Sequence, residues 1–562
     1  MDDATDVSPP VLRSVGLSST GVFLVSLAIQ LLGYIPTHFF AAHVGISNAG
    51  RDVLGLLQWF LLLASSINMI GDLRVGSAFV YYVARGEAPR VGAGTYLLLR
   101  LGMVGTAGAL LWFLAPGYDT RGHLELFALW MLLPVLWSIS TVYSQYWVAQ
   151  GHSVRGQVPL LVESVVRTAL LTVIAVQSLA LPAASYTDIL GPVTYAYLVG
   201  AAVAAVVCLP TVVRAAERFR GPVARRYFRF AWPLMGSLIL LYLSTTLIQF
   251  LVVVASPQGP DIYNVFLSAN GLRILALSVP AAVAVPLFPH LSSLHQRRDY
   301  EVIRQRTWAA LRYTAMVVVP LAMAMVVYRV NVLNILYSGP YATEGATALA
   351  LLALSAVPAS LSQIVGTALN SVGQQRLELY ITALQVGVLV VVSLMILTPY
   401  KLFGFSILAA GSLAVLLSSL AALGLNTYFM ERRLAVRIQV RPVLTIVGAA
   451  AVSFLAVSQF NRLFLNFPPT SHNIFQLIGG VVLGYAVYGL VLAFSGELSK
   501  ADVRLIIGAL GLPASLAKGL ARVCWREETW PVNPLPRNGA EALRPLDESS
   551  GRAPDSPPKN PP

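Results

Sequence analysis

The stretch Asp261-Ile262-Tyr263-Asn264-Val265-Phe266-Leu267-Ser268-Ala269-Asn270-Gly271-Leu272-Arg273-Ile274-Leu275-Ala276-Leu277-Ser278-Val279-Pro280 decides how this chain is read. A polar turn, Ser256-Pro257-Gln258-Gly259-Pro260, precedes it, and the apolar run continues to Pro289. A basic segment follows, carrying His290, His295, Arg297, Arg298, Arg304 and Arg306. A helix needs about 20 mostly apolar residues to cross a bilayer, and the run supplies them. Arg273 nevertheless sits inside it. At ~1.5 Å per residue it lies roughly 18 Å beyond Asp261, near the middle of a hydrocarbon layer about 30 Å thick. A guanidinium facing lipid at that depth costs at least about 2.5–3.5 kcal/mol, so Arg273 is expected to face a watery cavity or an internal partner. Pro280, Pro286 and Pro289 interrupt the same helix. Each removes a hydrogen bond and kinks the axis, and neighbouring helices re-satisfy the freed carbonyls. A charged, kinked spanning helix suits a transporter better than an anchor.

The rest of the 562 residues agree: 56% are hydrophobic and only 11% charged, where a soluble domain carries about 25% charged residues. The net charge of +13 does not point to nucleic acid, because the basic residues sit in short loops between apolar runs. Cys208 and Cys524 cannot form a disulfide framework, and no Cys/His metal spacing or cofactor motif occurs. The acidic, polar first 16 residues do not read as a signal peptide.

The pattern predicts an all-α polytopic membrane protein of about 14 spanning helices: two six-helix lobes around a central cavity, plus two C-terminal helices. The expected spans are 17–44, 53–83, 93–115, 124–149, 158–182, 189–212, 231–255, 261–289, 307–336, 344–370, 377–398, 402–429, 441–459 and 473–495. Residues 1–16 form an N-terminal segment, 17–212 the first lobe, 213–230 a basic loop, 231–430 the second lobe and 431–496 the last two spans. Loops after even-numbered spans hold eighteen arginines: 85, 90, 155, 214, 218, 220, 225, 226, 229, 297, 298, 304, 306, 376, 432, 433, 437 and 441. Loops after odd-numbered spans hold four basic residues, Arg51, Arg121, Lys401 and Arg462. The positive-inside rule therefore places both termini in the cytoplasm of a multi-pass cell-membrane protein. Residues 497–525 read as cytoplasmic interfacial helices, with Val503, Ile506, Ile507, Leu510, Leu516, Leu520 and Val523 mostly on one side. The nine prolines of 526–562 predict a disordered tail.

The lobes echo one another. The fourth span reads Pro134-Val135-Leu136-Trp137-Ser138 and is followed by Gly151; the tenth reads Pro358-Ala359-Ser360-Leu361-Ser362 and is followed by Gly373. Such repeats fit transporters that rock two bundles around a central site.

Several stretches resemble one family in order along residues 20–430. They are Gly71-Asp72-Leu73-Arg74-Val75-Gly76-Ser77-Ala78, Tyr227-Phe228-Arg229-Phe230-Ala231-Trp232-Pro233-Leu234, Leu287-Phe288-Pro289-His290-Leu291-Ser292, Ile335-Leu336-Tyr337-Ser338-Gly339-Pro340-Tyr341 and Leu369-Asn370-Ser371-Val372-Gly373-Gln374. On these the chain resembles the multidrug/oligosaccharidyl-lipid/polysaccharide (MOP) exporter superfamily, on the side of the polysaccharide-type flippases. It departs by placing Arg74 where a glycine is common. The resemblance implies alternating access by two six-helix lobes, a polyprenyl-diphosphate-linked sugar or oligosaccharide as cargo, and a basic position in the eighth span that Arg273 matches.

The intramembrane charges are weighed independently. A diphosphate cannot cross an apolar layer unaided, and arginine binds phosphate oxygens in pairs while staying charged. Arg273 is the foremost candidate for that contact, against a structural role bridging helix-end carbonyls or a carboxylate. Arg74 and Arg167 are further candidates. Asp72, Glu163 and Arg100 form a possible gate or a set of ion pairs with them; Glu163 and Arg167, four apart, share a helix face. For Arg100, snorkelling to the interface is the favoured reading. Gln30, Tyr34 and His38 recur every four residues and line either the cavity or a helix contact; Asn264, Asn270, Gln363 and Asn370 carry the same two readings.

The function expected is therefore a flippase, with the glycan lipid and the bilayer as partners and glycosyltransferases of the same pathway as possible ones. A cation-coupled multidrug antiporter of the same superfamily is the alternative, though the first span has no Asp or Glu. A membrane glycosyltransferase or polymerase would need acidic residues in sizeable outer loops, which this sequence lacks. No nucleotide-binding Gly-x-x-x-x-Gly-Lys-Ser/Thr motif occurs, so ATP hydrolysis is not expected.

Overall fold

A computed structural model describes residues 21–30, 32–33, 48–87, 89–114, 124–178, 188–255, 260–336, 340–397, 406–437, 439–462 and 469–498. The N-terminal segment, the interfacial helices and the tail therefore lie outside the described residues, as do Tyr34, His38 and His43. Every predicted span has a helical counterpart. The first lobe contains α1 (Gly21–Gln30), α2 (Asn48–Asp72), α3 (Val75–Ala84), α4 (Pro89–Leu114), α5 (Leu124–Ala149), α6 (Ser153–Gly156), α7 (Val158–Ser178) and α8 (Leu190–Ala215). The second contains α9 (Gly221–Ala255), α10 (Pro260–Gln296), α11 (Tyr300–Val327), α12 (Arg329–Leu336), α13 (Pro340–Ser371), α14 (Gln375–Leu397) and α15 (Ile407–Leu434). Two further helices, α16 (Val440–Arg462) and α17 (Pro469–Phe494), pack against α11. Among the described residues, eleven helices are long and apolar enough to cross a membrane.

Two spans are interrupted. The second breaks at Leu73 and Arg74, both at positive φ (35° and 63°), so that α2 and α3 are separate segments. The ninth breaks between α11 and α12 at Tyr328. By contrast α10 runs through its three prolines to Gln296, past the end expected at Pro289. Serine hydroxyls bond carbonyls along this stretch: Ser278 donates to Leu275 O at 2.7 Å, Ser292 to Phe288 O at 2.9 Å and Ser293 to His290 O at 2.8 Å. Asp299 then starts α11 by accepting from the Val302 amide at 3.4 Å.

Four of the even-numbered spans end in one device. Behind α3, α5, α13 and α17 stand Gly86, Gly151, Gly373 and Gly496, with φ of 97°, 85°, 89° and 75°. At each, the glycine amide and the next amide bond carbonyls three and five residues back, for example Gly151 to Val148 and His152 to Trp147, or Gly373 to Asn370 and Gln374 to Leu369. This closes the last turn, and glycine takes the left-handed conformation without a Cβ penalty. Arg298 ends α10 in the same way at φ 59°. The echo between Gly151 and Gly373 is thus a shared helix stop, at the end of the bundle that carries the arginine-rich loops.

At this basic end the lobes meet. One buried cluster joins Phe79, Tyr81, Val83, Tyr96 and Tyr143 of the first lobe to Tyr227, Phe230 and Leu234 of α9, with Val285 and Phe288 of α10 packed on it. The Tyr81 ring centroid lies 4.4 Å from Phe230 and 6.4 Å from Phe288. At the far end the described cores are separate. Phe60, Phe127, Trp130 and Leu190 belong to the first lobe; Phe266, Leu272, Leu349 and Leu408 belong to the second. The lobes are closed at the basic end.

Candidate functional site

The site is built around α10. Val265, Ala269, Leu272 and Ala276 recur at helical spacing and are buried against the second lobe. At about 100° per residue, Arg273 stands on the flank of that packed face, between buried Leu272 and half-exposed Ile274. It lies roughly 12 Å along the helix from Val265, on the half of α10 away from the closed end. Its guanidinium is half-buried. Nη1 donates to Asn270 Oδ1 at a long 3.5 Å, and Nε is buried with no hydrogen-bond partner. Among the described residues no carboxylate pairs with it. A cation without a counter-ion, with a buried donor to spare, is poorly satisfied on its own and suited to receive an oxyanion.

Four of the other intramembrane charges are paired, in two separate groups. Asp72, at the end of α2, accepts from Tyr96 Oη at 2.5 Å and from Arg100 Nη1 at 2.8 Å. Arg100 also donates to Asn68 Oδ1 and is only 1% exposed. It is therefore a buried structural cation and does not snorkel. Gly76 makes room for the group: a Cβ there would stand 2.7 Å from Tyr96 Oη and 3.0 Å from Asp72 Oδ1. In the second group, Glu163 accepts from Arg167 Nη1 at 2.9 Å and from Trp137 Nε1 at 3.0 Å, and Arg167 lies 5.0 Å from the Tyr197 ring centroid. The structure brings Asp72 to Arg100 and Glu163 to Arg167, but does not join the two pairs among the described residues. Arg74 is half-buried at the α2–α3 break and makes no side-chain cap bond.

Gln30 is half-buried near the end of α1, and the chain just beyond it contacts α7, where Thr168 Oγ1 donates to Leu32 O at 3.2 Å. The side chain of Asn264 lies outside the described residues. Asn370 donates to Glu378 Oε2 at 2.7 Å, a helix-to-helix contact rather than a free lining group, and Gln363 is exposed. Sequence reasoning missed Glu378, Asn68, Tyr96 and the aromatic seam around Tyr81. Only proximity in the fold reveals Asn68 and Tyr96 as partners of Asp72 and Arg100.

Comparison with known proteins agrees with this geometry. No curated protein sequence matches the chain. Among solved structures, a lipid II flippase MurJ in an inward closed conformation is similar with a TM-score of 0.57 at 12% identity, covering 84% of this chain and 98% of that one. A MOP superfamily transporter from Pyrococcus furiosus, described as having a binding pocket of reversed polarity, gives 0.64 at 13% identity, covering 75% and 95%. A mutant of the Vibrio cholerae MATE transporter VcmN gives 0.60 at 13%, covering 75% and 97%. At such identities these likenesses establish the fold. The family model described as Lipid II flippase MurJ matches residues 97–475. With well over half its length matched, and the fold in agreement, the chain belongs to the lipid II flippase MurJ family.

Proposed function

We propose that this protein translocates a polyprenyl-diphosphate-linked sugar or oligosaccharide across the cell membrane by alternating access, and that Arg273 binds the diphosphate. The carrying observation is that Arg273 lies deep in α10, half-buried, with its Nε unpartnered and no carboxylate pairing with it among the described residues. Closure of the lobes at the basic end, taken as cytoplasmic from the loop arginines, supports a state shut towards the cytoplasm. Arg74 contributes positive potential in the first lobe and Arg167, though paired with Glu163, further N–H donors, with Asn270, Gln30 and His38 offered to the sugar or phosphate. The antiporter alternative is weaker: it needs a carboxylate free to exchange protons or cations, whereas Asp72 and Glu163 are each held by an arginine.

The test is reconstitution with a labelled lipid-diphosphate sugar. Arg273→Ala is expected to abolish translocation with normal insertion, and Arg273→Lys to retain partial activity, because lysine keeps the charge but loses the bidentate fork. Normal export by both variants overturns the assignment.

A further inference from the structure

The seam at the basic end holds a second set of basic side chains, distinct from Arg273. Arg85 follows α3 on the first lobe, its guanidinium carbon 4.1 Å from the Tyr81 ring centroid. Its Nε and Nη2 are buried and have no hydrogen-bond partner. Across the seam α10 presents His295, within electrostatic reach of Arg85, and its Nδ1 is likewise buried and unpartnered. Tyr300 packs its ring 5.8 Å from that imidazole and is also within electrostatic reach of Arg85. His290 Nε2 and Arg306 Nη1 repeat the pattern on the second lobe: both are buried without partners, and His290 faces Arg306 and Arg297.

The acids of the neighbourhood are engaged elsewhere. Glu87 accepts from Tyr227 Oη at 3.3 Å and pairs with Arg226 at 3.4 Å. Glu301 accepts from Arg304 at 2.6 Å and from Gln305 at 3.0 Å. Asp299 caps α11 and faces Arg306. Among the described residues no carboxylate pairs with Arg85, His290 or His295. Buried guanidinium and imidazole nitrogens with no hydrogen-bond partner are costly to keep, and a cluster of them from two bodies fits a multivalent oxyanion.

We propose that this seam is a binding site for a phosphate-type oxyanion, with the Arg85 guanidinium from one lobe supplying charge and the His295 imidazole from the other an N–H donor, and with Arg306 and His290 alongside as a further cation and a further imidazole. The site requires both lobes, so the anion binds the closed basic end better than the open one and shifts the population towards closure. Arg273 and His295 are twenty-two residues apart on one helix, roughly 33 Å along the axis, so this is not the central contact. The chemistry suits a free inorganic anion or a phospholipid headgroup.

The experiment uses the full chain in nanodiscs in chloride buffer. Thermal midpoints are measured in a zwitterionic bilayer with increasing inorganic phosphate or pyrophosphate, and separately in a phosphatidylglycerol bilayer without free phosphate. The wild type is expected to gain stability in at least one arm: the first assigns a soluble anion, the second a headgroup. Arg85→Gln and His295→Gln should each weaken that response at least tenfold, while Arg225→Gln, exposed near the start of α9, keeps it. Without the anion, Arg85→Gln should melt no lower than wild type, since it removes an uncompensated buried cation; with the anion the order should reverse. Should Arg85→Gln fail to fold, His295→Gln carries the same comparison. No response of the wild type in either arm, or a response that survives either substitution, overturns the site. Neither result bears on Arg273, which is tested by translocation.

Discussion

Two arginines in the membrane region show how surroundings decide what a residue does. Arg100 is almost fully buried, yet Asp72 takes its charge and, with Asn68, both terminal nitrogens, leaving Nε unpartnered. Arg273 is half-buried and has only a long contact to Asn270. Arg100 is therefore expected to matter for stability and Arg273 for transport. Arg100→Leu strands Asp72 beside Tyr96 in a buried setting and should cost about 3–5 kcal/mol, the usual effect of removing one partner of a buried pair. Denaturant or thermal melts in detergent measure it; a loss under about 1 kcal/mol would show the pair to be dispensable. Arg273→Ala should leave the same melt nearly unchanged.

At the scale of the element, the helix stops carry a prediction of their own. Four even-numbered spans end on a left-handed glycine, and α10 ends the same way on Arg298. A side chain in that conformation costs roughly 1–2 kcal/mol relative to right-handed backbone, partly offset because glycine loses more freedom on folding. Arg298→Gly should stabilise the protein by about 0.5–1 kcal/mol, read as a higher thermal midpoint, whereas Gly373→Ala should lower it. Gly373 also faces the Tyr81 hydroxyl, 3.4 Å from where a Cβ would stand. Tyr81 itself links α3 to α9 and α10 through rings. Tyr81→Ala should loosen the seam, raising the labelling rate of a cysteine placed at Phe230 by a membrane-impermeant thiol reagent added from the basic side. An unchanged rate would mean the seam is held by other contacts.

For the whole molecule, two lobes whose described far-end cores are separate are joined by the aromatic seam at the basic end and linked further along by the Ser66–Tyr242 hydroxyl pair at 2.7 Å, the two-bundle plan of transporters that rock around a central site. Reporter fusions at residue 1 and residue 562 should both read cytoplasmic if the loop arginines set the orientation. Opposite signals would invert the side from which cargo enters. The fold was legible because its signals are local. Apolar runs give spans, arginine spacing gives alternation, and Gly151 and Gly373 mark helix stops through their own φ preference. The interruptions at Leu73–Arg74 and at Tyr328, and the continuation of α10 through Pro289, were not legible, because packing between helices overrides local propensity there. For the candidate site, the sequence by itself placed an arginine at mid-membrane depth and grouped the charges of the first lobe. Only the tertiary structure decided that Asp72 neutralises Arg100, that Glu163 neutralises Arg167, and that among the described residues no carboxylate pairs with Arg273. Pairing depends on which helices lie side by side, and distances across helices are not encoded in the spacing along any one of them.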